Sequence, residues 1–488
     1  MENIENKKKI IVIGAGLSGL ATGVYSAASG FDVTIFEKHN IAGGLCSNWK
    51  RGGYTFEGGL HWLTGSKEGR SMNKVWREIG ALKNDTKIFV RDPYITYNQF
   101  GKEVHFFRDI KKLEEHLIEI SPEDERAIKR LCKNIIRFSR IEVPVKMTVG
   151  QVLGMIPAGV RVKKYSNMIV QDFIKEFKNP LIQGFLNSII GGEFSMTSFL
   201  YTMGLFASGD GGYVDGGSRQ MVQNIVEKLE SLGGKIKYKT AVKEVIIENG
   251  RAIGVLLENG EKDFADNVVV TTDTSIALDN MFSTPLHESW TDVIRNYKHK
   301  SKVSSFLCLG VEVDLKDTPK YVEIELDEPL VLAGQAHTFL DYAHYAHYDG
   351  YQPQGCSAIT LILMGDTYDY WKEKKENGTY KEEKERFANA IIERLVKHLP
   401  QIEGKIKVID VATPLTYERY VGTYHGAWMS KNGLGESMRF FPQKSETVKN
   451  LYFAGFRMFS PGGLPPAAVT GRKVAKLLCK DNKMKFKI

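Results

Sequence analysis

Cysteine is scarce in this chain: five residues among 488, Cys46, Cys132, Cys308, Cys356 and Cys479, odd in number, scattered and without a CxxC pair. Such spacing argues against a disulfide framework or a thiolate zinc site and fits reduced thiols in the cytoplasm. No uninterrupted apolar run approaches the roughly 18 residues that span a bilayer. Nor does an apolar segment precede the first strand, where Met1–Lys9 offers a short basic run and nothing like a signal peptide. Basic patches interleaved with aromatics are missing too, so nucleic acid is not an expected partner although the net charge is +8. That charge collects in terminal lysines, Lys7–Lys9 and Lys480, Lys483, Lys485 and Lys487. Such tails ordinarily stay solvated; near anionic lipid each basic residue would add about 1 kcal/mol, which leaves a peripheral contact with the inner face of a membrane open. His344 and His347 have the spacing of a metal pair on a helix, but no third ligand accompanies them and no metal is expected.

What is present begins at the N-terminus. Ile10–Ile13 is a short continuous apolar run, as a strand buried on both faces requires, and a helix is predicted from about Leu17 to Ser29. Between them Gly14 permits a tight turn, Gly16 lets backbone N–H groups approach a pyrophosphate, and Gly19 lets helix and strand pack closely. Ala15, Leu17 and Ser18 complete the turn around the same diphosphate. Asp32–Phe36 reads as the second strand, and Glu37 follows where a carboxylate accepts the ribose hydroxyls of an adenosine, with Lys38 beside it. An acid there disfavours NADP, whose 2′-phosphate it would repel. This is a βαβ dinucleotide unit, and no second one occurs, so a built-in NADPH domain is not expected.

The next motifs separate FAD from NAD. Ile41-Ala-Gly43-Gly44-Leu45 is followed by a glycine turn in Glu57-Gly58-Gly59-Leu60-His61. Near the other end, Asn450-Leu-Tyr-Phe-Ala-Gly455-Phe456 precedes Pro461-Gly-Gly463-Leu464-Pro465 and then Ala468. Together these resemble the signature of the flavin amine oxidase superfamily, and within it the phytoene desaturase, carotenoid isomerase and retinol saturase branch. The resemblance implies an α/β fold, a Rossmann-like FAD domain of the glutathione-reductase type, with an inserted α+β substrate domain. It assigns 1–85, 205–275 and 445–488 to the FAD domain and 86–204 and 276–444 to the inserts. It also implies that FAD meets Gly43, Gly44, Leu45, Gly59, Leu60, His61, Val242, Thr271, Gly455, Phe456, Gly463, Leu464, Pro465 and Ala468. Reduced flavin is negative near N1 and O2, and a helix starting near Pro465 would turn its positive end toward it. The chain departs from the pattern at Leu45, where many relatives have arginine, and at Phe456, where many have an acid.

The remaining segments read as ordinary elements. Two alternating strands around Asn249-Gly250 form a meander before a buried strand at 265–272. Ser121 is expected to cap a helix burying Ala127, Leu131, Ile135 and Phe138, and Asn179-Pro180 to start another, Leu181 to Ile190. Strands are predicted at Val303–Val313 and Ser357–Met364, and Arg419 and Tyr420 either line a substrate channel or close the insert.

The resemblance implies hydride exchange between flavin N5 and a carbon of a long apolar, isoprenoid- or carotenoid-like substrate, in a desaturase or saturase. A non-redox isomerase, an amine oxidase and a flavin-free prenyl-protein carrier are the alternatives, in that order. The electron donor or acceptor stays open. His61 is the first candidate for an acid–base residue and Glu57 the second, since imidazole titrates near neutrality; His61 reads equally well as a packed core histidine.

Overall fold

The computed structural model describes residues 7–145, 147–430 and 438–488; Met1–Asn6, part of the basic N-terminal segment, lie outside them. Strand Lys9–Ile13 sits in the middle of a five-stranded parallel sheet, ordered 235–237, 32–36, 9–13, 267–270 and 451–453. Ile10 and Val12 pack in one core with helices Leu17–Ala28, Gly217–Ser231 and Leu464–Asp481. Ile11 and Ile13 face a three-stranded antiparallel meander, Val242–Glu248, Arg251–Leu257 and Lys262–Phe264. The alternation explains why the strand has no polar side. Asn249 and Gly250 close the first hairpin of the meander with φ of 50° and 71°, the left-handed pair that such a two-residue turn demands. A Cβ on Gly471 would lie 2.6 Å from the Ser18 carbonyl, so glycine there lets the last helix run tight against the first.

A second, seven-stranded sheet is ordered 406–412, 304–311, 357–364, 335–344, 321–332, 95–99 and 102–106. Two distant stretches of chain build it, joined by parallel pairing of Val322 with Thr96. Helices between 110 and 208 bury Ala127, Leu131, Ile135 and Phe138, with Tyr97 and Phe106 of this sheet, in a core of their own. A helix starts at Pro180 as expected and runs to Ser188, and Asn179 caps it, accepting from the Leu181 N–H at 3.0 Å.

Two local expectations are corrected. Ser121 does not cap a helix through its side chain; its hydroxyl donates to Asp124 at 2.8 Å, and a 3-10 turn, Pro122–Asp124, precedes helix Glu125–Phe138. Asp124 is drawn away to accept the Lys178 and Asn179 N–H groups, and Ser121 follows it. His344 is not on a helix but ends strand Gln335–His344, so the helical spacing with His347 has no meaning.

Candidate functional site

Between the two sheets lies a cavity of about 1730 Å³. One half is walled by the carboxyl ends of the parallel strands, where ligands meet open α/β sheets. Gly14, Gly16, Leu17, Ser18, Glu37, Lys38, Gly43, Gly44, Leu45, Gly59, His61, Val242, Thr271, Phe456, Gly463, Leu464 and Pro465 all line it. The glycine loops are stacked on one another: Gly43 N donates to the Ala15 carbonyl at 2.9 Å, and a Cβ on Gly59 would sit 2.4 Å from the Leu45 carbonyl. Glu37 is buried and accepts from the Ala15 N–H at 2.8 Å and the His39 N–H at 2.9 Å. Each carboxylate oxygen thus holds one protein donor and keeps capacity for another.

Other predicted residues lie off the wall. Gly19 serves packing, since a Cβ there would be 2.0 Å from the Gly14 carbonyl. Ala15, Leu60, Gly455 and Ala468 are behind the lining, with Gly455 N held by Thr470 Oγ1 at 3.1 Å. Glu57 is corrected as an acid–base candidate: it is fully buried and off the cavity, where it pins the glycine turn. It accepts from Gly59 N at 3.0 Å, Leu60 N at 3.1 Å, Ser218 N at 2.9 Å, Ser218 Oγ at 2.5 Å and the Tyr213 hydroxyl at 3.0 Å. Burial raises its carboxyl above the usual range, and the donors from Ser218, Gly59 and Leu60 pull it back. The helix start at Leu464 is also less generous than expected, because Pro465 and Pro466 occupy its first turn and have no N–H to offer.

The other half of the cavity carries a polar group that the motifs did not point to. His61, Arg91, Ser188, Tyr321, Glu323 and Asp341 line it. Glu323 and Asp341 are directly opposed across antiparallel strands of the seven-stranded sheet. Ser188 donates to Glu323, and the Tyr321 hydroxyl to Asp341 at 3.1 Å. The Arg91 guanidinium lies over the rings of Tyr94 and Tyr321, 4.5 and 4.9 Å from their centroids. Burial pushes Glu323 up to about 8, with the Ser188 hydrogen bond opposing and Asp341 adding to the shift. Burial likewise raises Asp341 to about 6 against the Tyr321 hydrogen bond. His61 moves the other way, to about 4, through burial and then the charge of Arg91. At neutral pH the imidazole is therefore neutral and Glu323 carries a proton.

Sequence reasoning missed this pair because Tyr321-Val-Glu323-Ile-Glu325-Leu alternates polar with apolar, the pattern of a strand with one wet face. Tyr321 and Glu323 of that face instead turn into the cavity, while Glu325 accepts from Tyr97 and Gln99. Asp273 was missed as well; it lines the cavity edge and forms a buried pair with Arg457 at 2.5 Å, which holds its carboxyl below the usual range despite burial. Arg419 and Tyr420 are on the cavity wall.

The family model for flavin containing amine oxidoreductases matches residues 17–479. The chain belongs to that family. Among curated relatives, prolycopene isomerase of Daucus carota is 25% identical, aligned over 96% of this chain and 80% of its own. All-trans-retinol 13,14-reductase of Danio rerio is 23% identical over 91% of this chain and 82% of its own, and a lycopene-forming phytoene desaturase of Paracoccus sp. is 23% identical over 97% and 98%. An oxidoreductase of Methanosarcina mazei has the same fold, with a TM-score of 0.64 at 17% identity over 96% of this chain and all of its own. Cyclohexylamine oxidase of Brevibacterium oxydans gives 0.60 at 14% identity over 98% and 100%. The expected superfamily and fold are thus borne out. This family member is an FAD-dependent oxidoreductase.

The residues present fit FAD. Nothing lies within 4 Å of a Cβ built on Gly16 or on Gly463, so both glycines face open cavity where backbone can approach a ligand. The first helix opens beside Gly16 with no side-chain cap and no acid in its first turn, leaving its positive end for an anion. With FAD as cofactor, the flavin-free carrier reading falls away.

Proposed function

We propose that this oxidoreductase adds hydrogen to, or removes it from, a carbon–carbon bond of a long apolar, isoprenoid- or carotenoid-like lipid. The cavity volume carries the reading. At about 1730 Å³ it exceeds the roughly 300–1,000 Å³ of a single-ligand pocket, leaving room beyond FAD for an extended molecule. Ile141, Val143, Met155, Ile189, Phe194 and Leu205 are among the apolar groups along that remaining length. In this reading 1–85, 205–275 and 445–488 form the FAD domain and the inserts 86–204 and 276–444 hold substrate. Gly14, Gly16, Ser18, Glu37, Gly43, Gly44, Val242, Thr271 and Gly463 would hold the cofactor, whose bound flavin supplies hydride exchange at N5.

The chain's own residues handle the companion proton. Glu323, buried, holds it at its carboxyl, steadied by Ser188, and gives it to a carbon in saturation or takes it from one in desaturation. Asp341 and Arg91 keep opposite charges beside it, so the proton can leave Glu323 without an isolated charge remaining. His61, neutral, positions substrate or solvent rather than donating.

The test is anaerobic mixing of the flavin-reduced protein with polyenes, retinoids, unsaturated fatty acids and amines. Reoxidation by a polyene, with a matching loss of one double bond, supports the proposal. Reduction of the oxidised flavin by an amine, with polyenes inert, overturns it. Substrate isomerised while the flavin stays reduced selects the isomerase reading, which the first relative above makes the natural second.

A further inference from the structure

Helix Val149–Tyr165 presents an apolar stripe to the outside. Val149, Val152, Leu153, Ile156 and Val160 are 77, 48, 58, 55 and 72% exposed. Their spacing of i, i+3, i+4, i+7 and i+11 is one face of a helix, not scattered surface residues. The inward side of the same helix belongs to the cavity: Met155, Gly159 and Val162 line it, and Ala158 and Tyr165 are buried. One helix thickness therefore separates the apolar exterior from the chamber that receives substrate. Along the chain, the charges of the helix and its C-terminal end are of one sign. No Asp or Glu occurs between Glu142 and Asp172, whereas Arg161, Lys163 and Lys164 follow the stripe, the two lysines exposed.

We propose that this helix lies on an anionic lipid bilayer, its stripe sunk into the headgroup boundary and its basic end on the phosphates. An apolar face followed by basic residues, on a helix that carries no acid, matches such a surface. The lysines first considered for that contact are elsewhere. Lys480 is in the last turn of the last helix and Lys483, Lys485 and Lys487 follow it, and Lys487 N is tied to Ser29 Oγ at 3.0 Å, at the far end of the first helix from its cavity-lining glycine turn. The cavity wall, and with it a route for a lipid-borne substrate, is at the helix 149–165 instead. Membrane binding needs no substrate to be tested, so it stands or falls separately from the proposed reaction.

Flotation of the flavin-loaded protein with vesicles of phosphatidylcholine, alone or mixed with phosphatidylglycerol, reads it directly. The wild type should float with the mixed vesicles, less so in high salt. Leu153→Glu/Ile156→Glu/Val160→Glu should lower that binding about tenfold or more while the flavin spectrum is unchanged, because three charges replace groups already in water in the free protein. Arg161→Gln/Lys163→Gln/Lys164→Gln should weaken binding to the mixed vesicles alone. Wild type that stays in solution with both vesicles overturns the proposal. So does a triple glutamate variant that floats as well as wild type, or loss of binding only on Lys480→Gln/Lys483→Gln/Lys485→Gln/Lys487→Gln. A wild-type dimer that the glutamates make monomeric, without flotation, would assign the stripe to a second copy.

Discussion

Replacing Gly16 with valine should leave the protein folded and colourless. Its backbone, φ −69° and ψ 174°, is extended and open to any residue, and a Cβ there meets nothing within 4 Å. The side chain enters the space where the diphosphate approaches the first helix. Displacing two N–H contacts to a charged group, at about 1.5–3 kcal/mol each, removes about 3–6 kcal/mol of binding, or roughly a hundred- to ten-thousandfold in affinity. Gly19→Ala is the opposite case in the same turn. Its Cβ would stand 2.0 Å from the Gly14 carbonyl and 2.8 Å from Thr271 Oγ1, both fixed by the strand beneath. Helix and strand must part, at a cost of about 1–3 kcal/mol or more. The assay is flavin absorbance per mole of purified protein, together with thermal unfolding of the flavin-stripped forms. Gly16→Val should lose the yellow colour with an apoprotein melting temperature near wild type, and Gly19→Ala should lower that temperature. A stoichiometrically yellow Gly16→Val, or an apoprotein destabilised as much as Gly19→Ala, would refute the division of labour between the two glycines.

Glu323→Gln should slow single-turnover flavin oxidation by a polyene while leaving flavin content intact; an unchanged rate would remove Glu323 from proton transfer. Because the folded carboxyl is raised from 4.5 to about 8, the folded state binds the extra proton and stability should fall as pH rises through that window. Urea unfolding between pH 5 and 9 should show this slope in wild type and a flatter profile in Glu323→Gln. His61→Ala should retain FAD yet impair turnover, and with His61 held to about 4 the wild-type rate should show no inflection near 6.5 from this group; full activity in the variant would make His61 a packing residue. Arg457→Ala strands the buried Asp273 carboxylate, which accepts from Arg457 at 2.5 Å, and should cost about 3–5 kcal/mol in denaturant unfolding.

The cofactor half of the cavity was legible because its determinants are contiguous. Gly14, Gly16, Leu17, Ser18, Glu37, Gly43–Leu45 and Gly463–Pro465 line the cavity, and the backbone needs of such turns are written in local sequence as glycine, proline and apolar runs. Glu57 shows where that reading fails. It stands next to a glycine turn, as a catalytic acid could, but three of the five donors to it come from Tyr213 and Ser218, more than 150 positions away. Sequence adjacency placed it near the flavin; only the fold shows that its oxygens are already taken.

The substrate half was hidden for a related reason. Glu323 and Asp341 meet through strand register, Glu323 opposite Asp341, and register is fixed by long-range pairing with 95–99 and 357–364. Arg91 reaches the group from a loop before the strand Ile95–Gln99 and presents one permanent charge to two titrating neighbours. It adds to burial in driving the proton off His61, and it opposes burial at Glu323, where the proton nonetheless stays. The protonated carboxyl and the neutral imidazole are thus two consequences of one apolar chamber acting on groups of opposite charge type. An acid kept neutral by its surroundings can give up its proton to carbon, whereas a neutral imidazole keeps one N–H to donate in a hydrogen bond and one nitrogen to accept. The proposed proton transfer at Glu323 rests on that contrast, and Glu323→Gln set beside His61→Ala decides it.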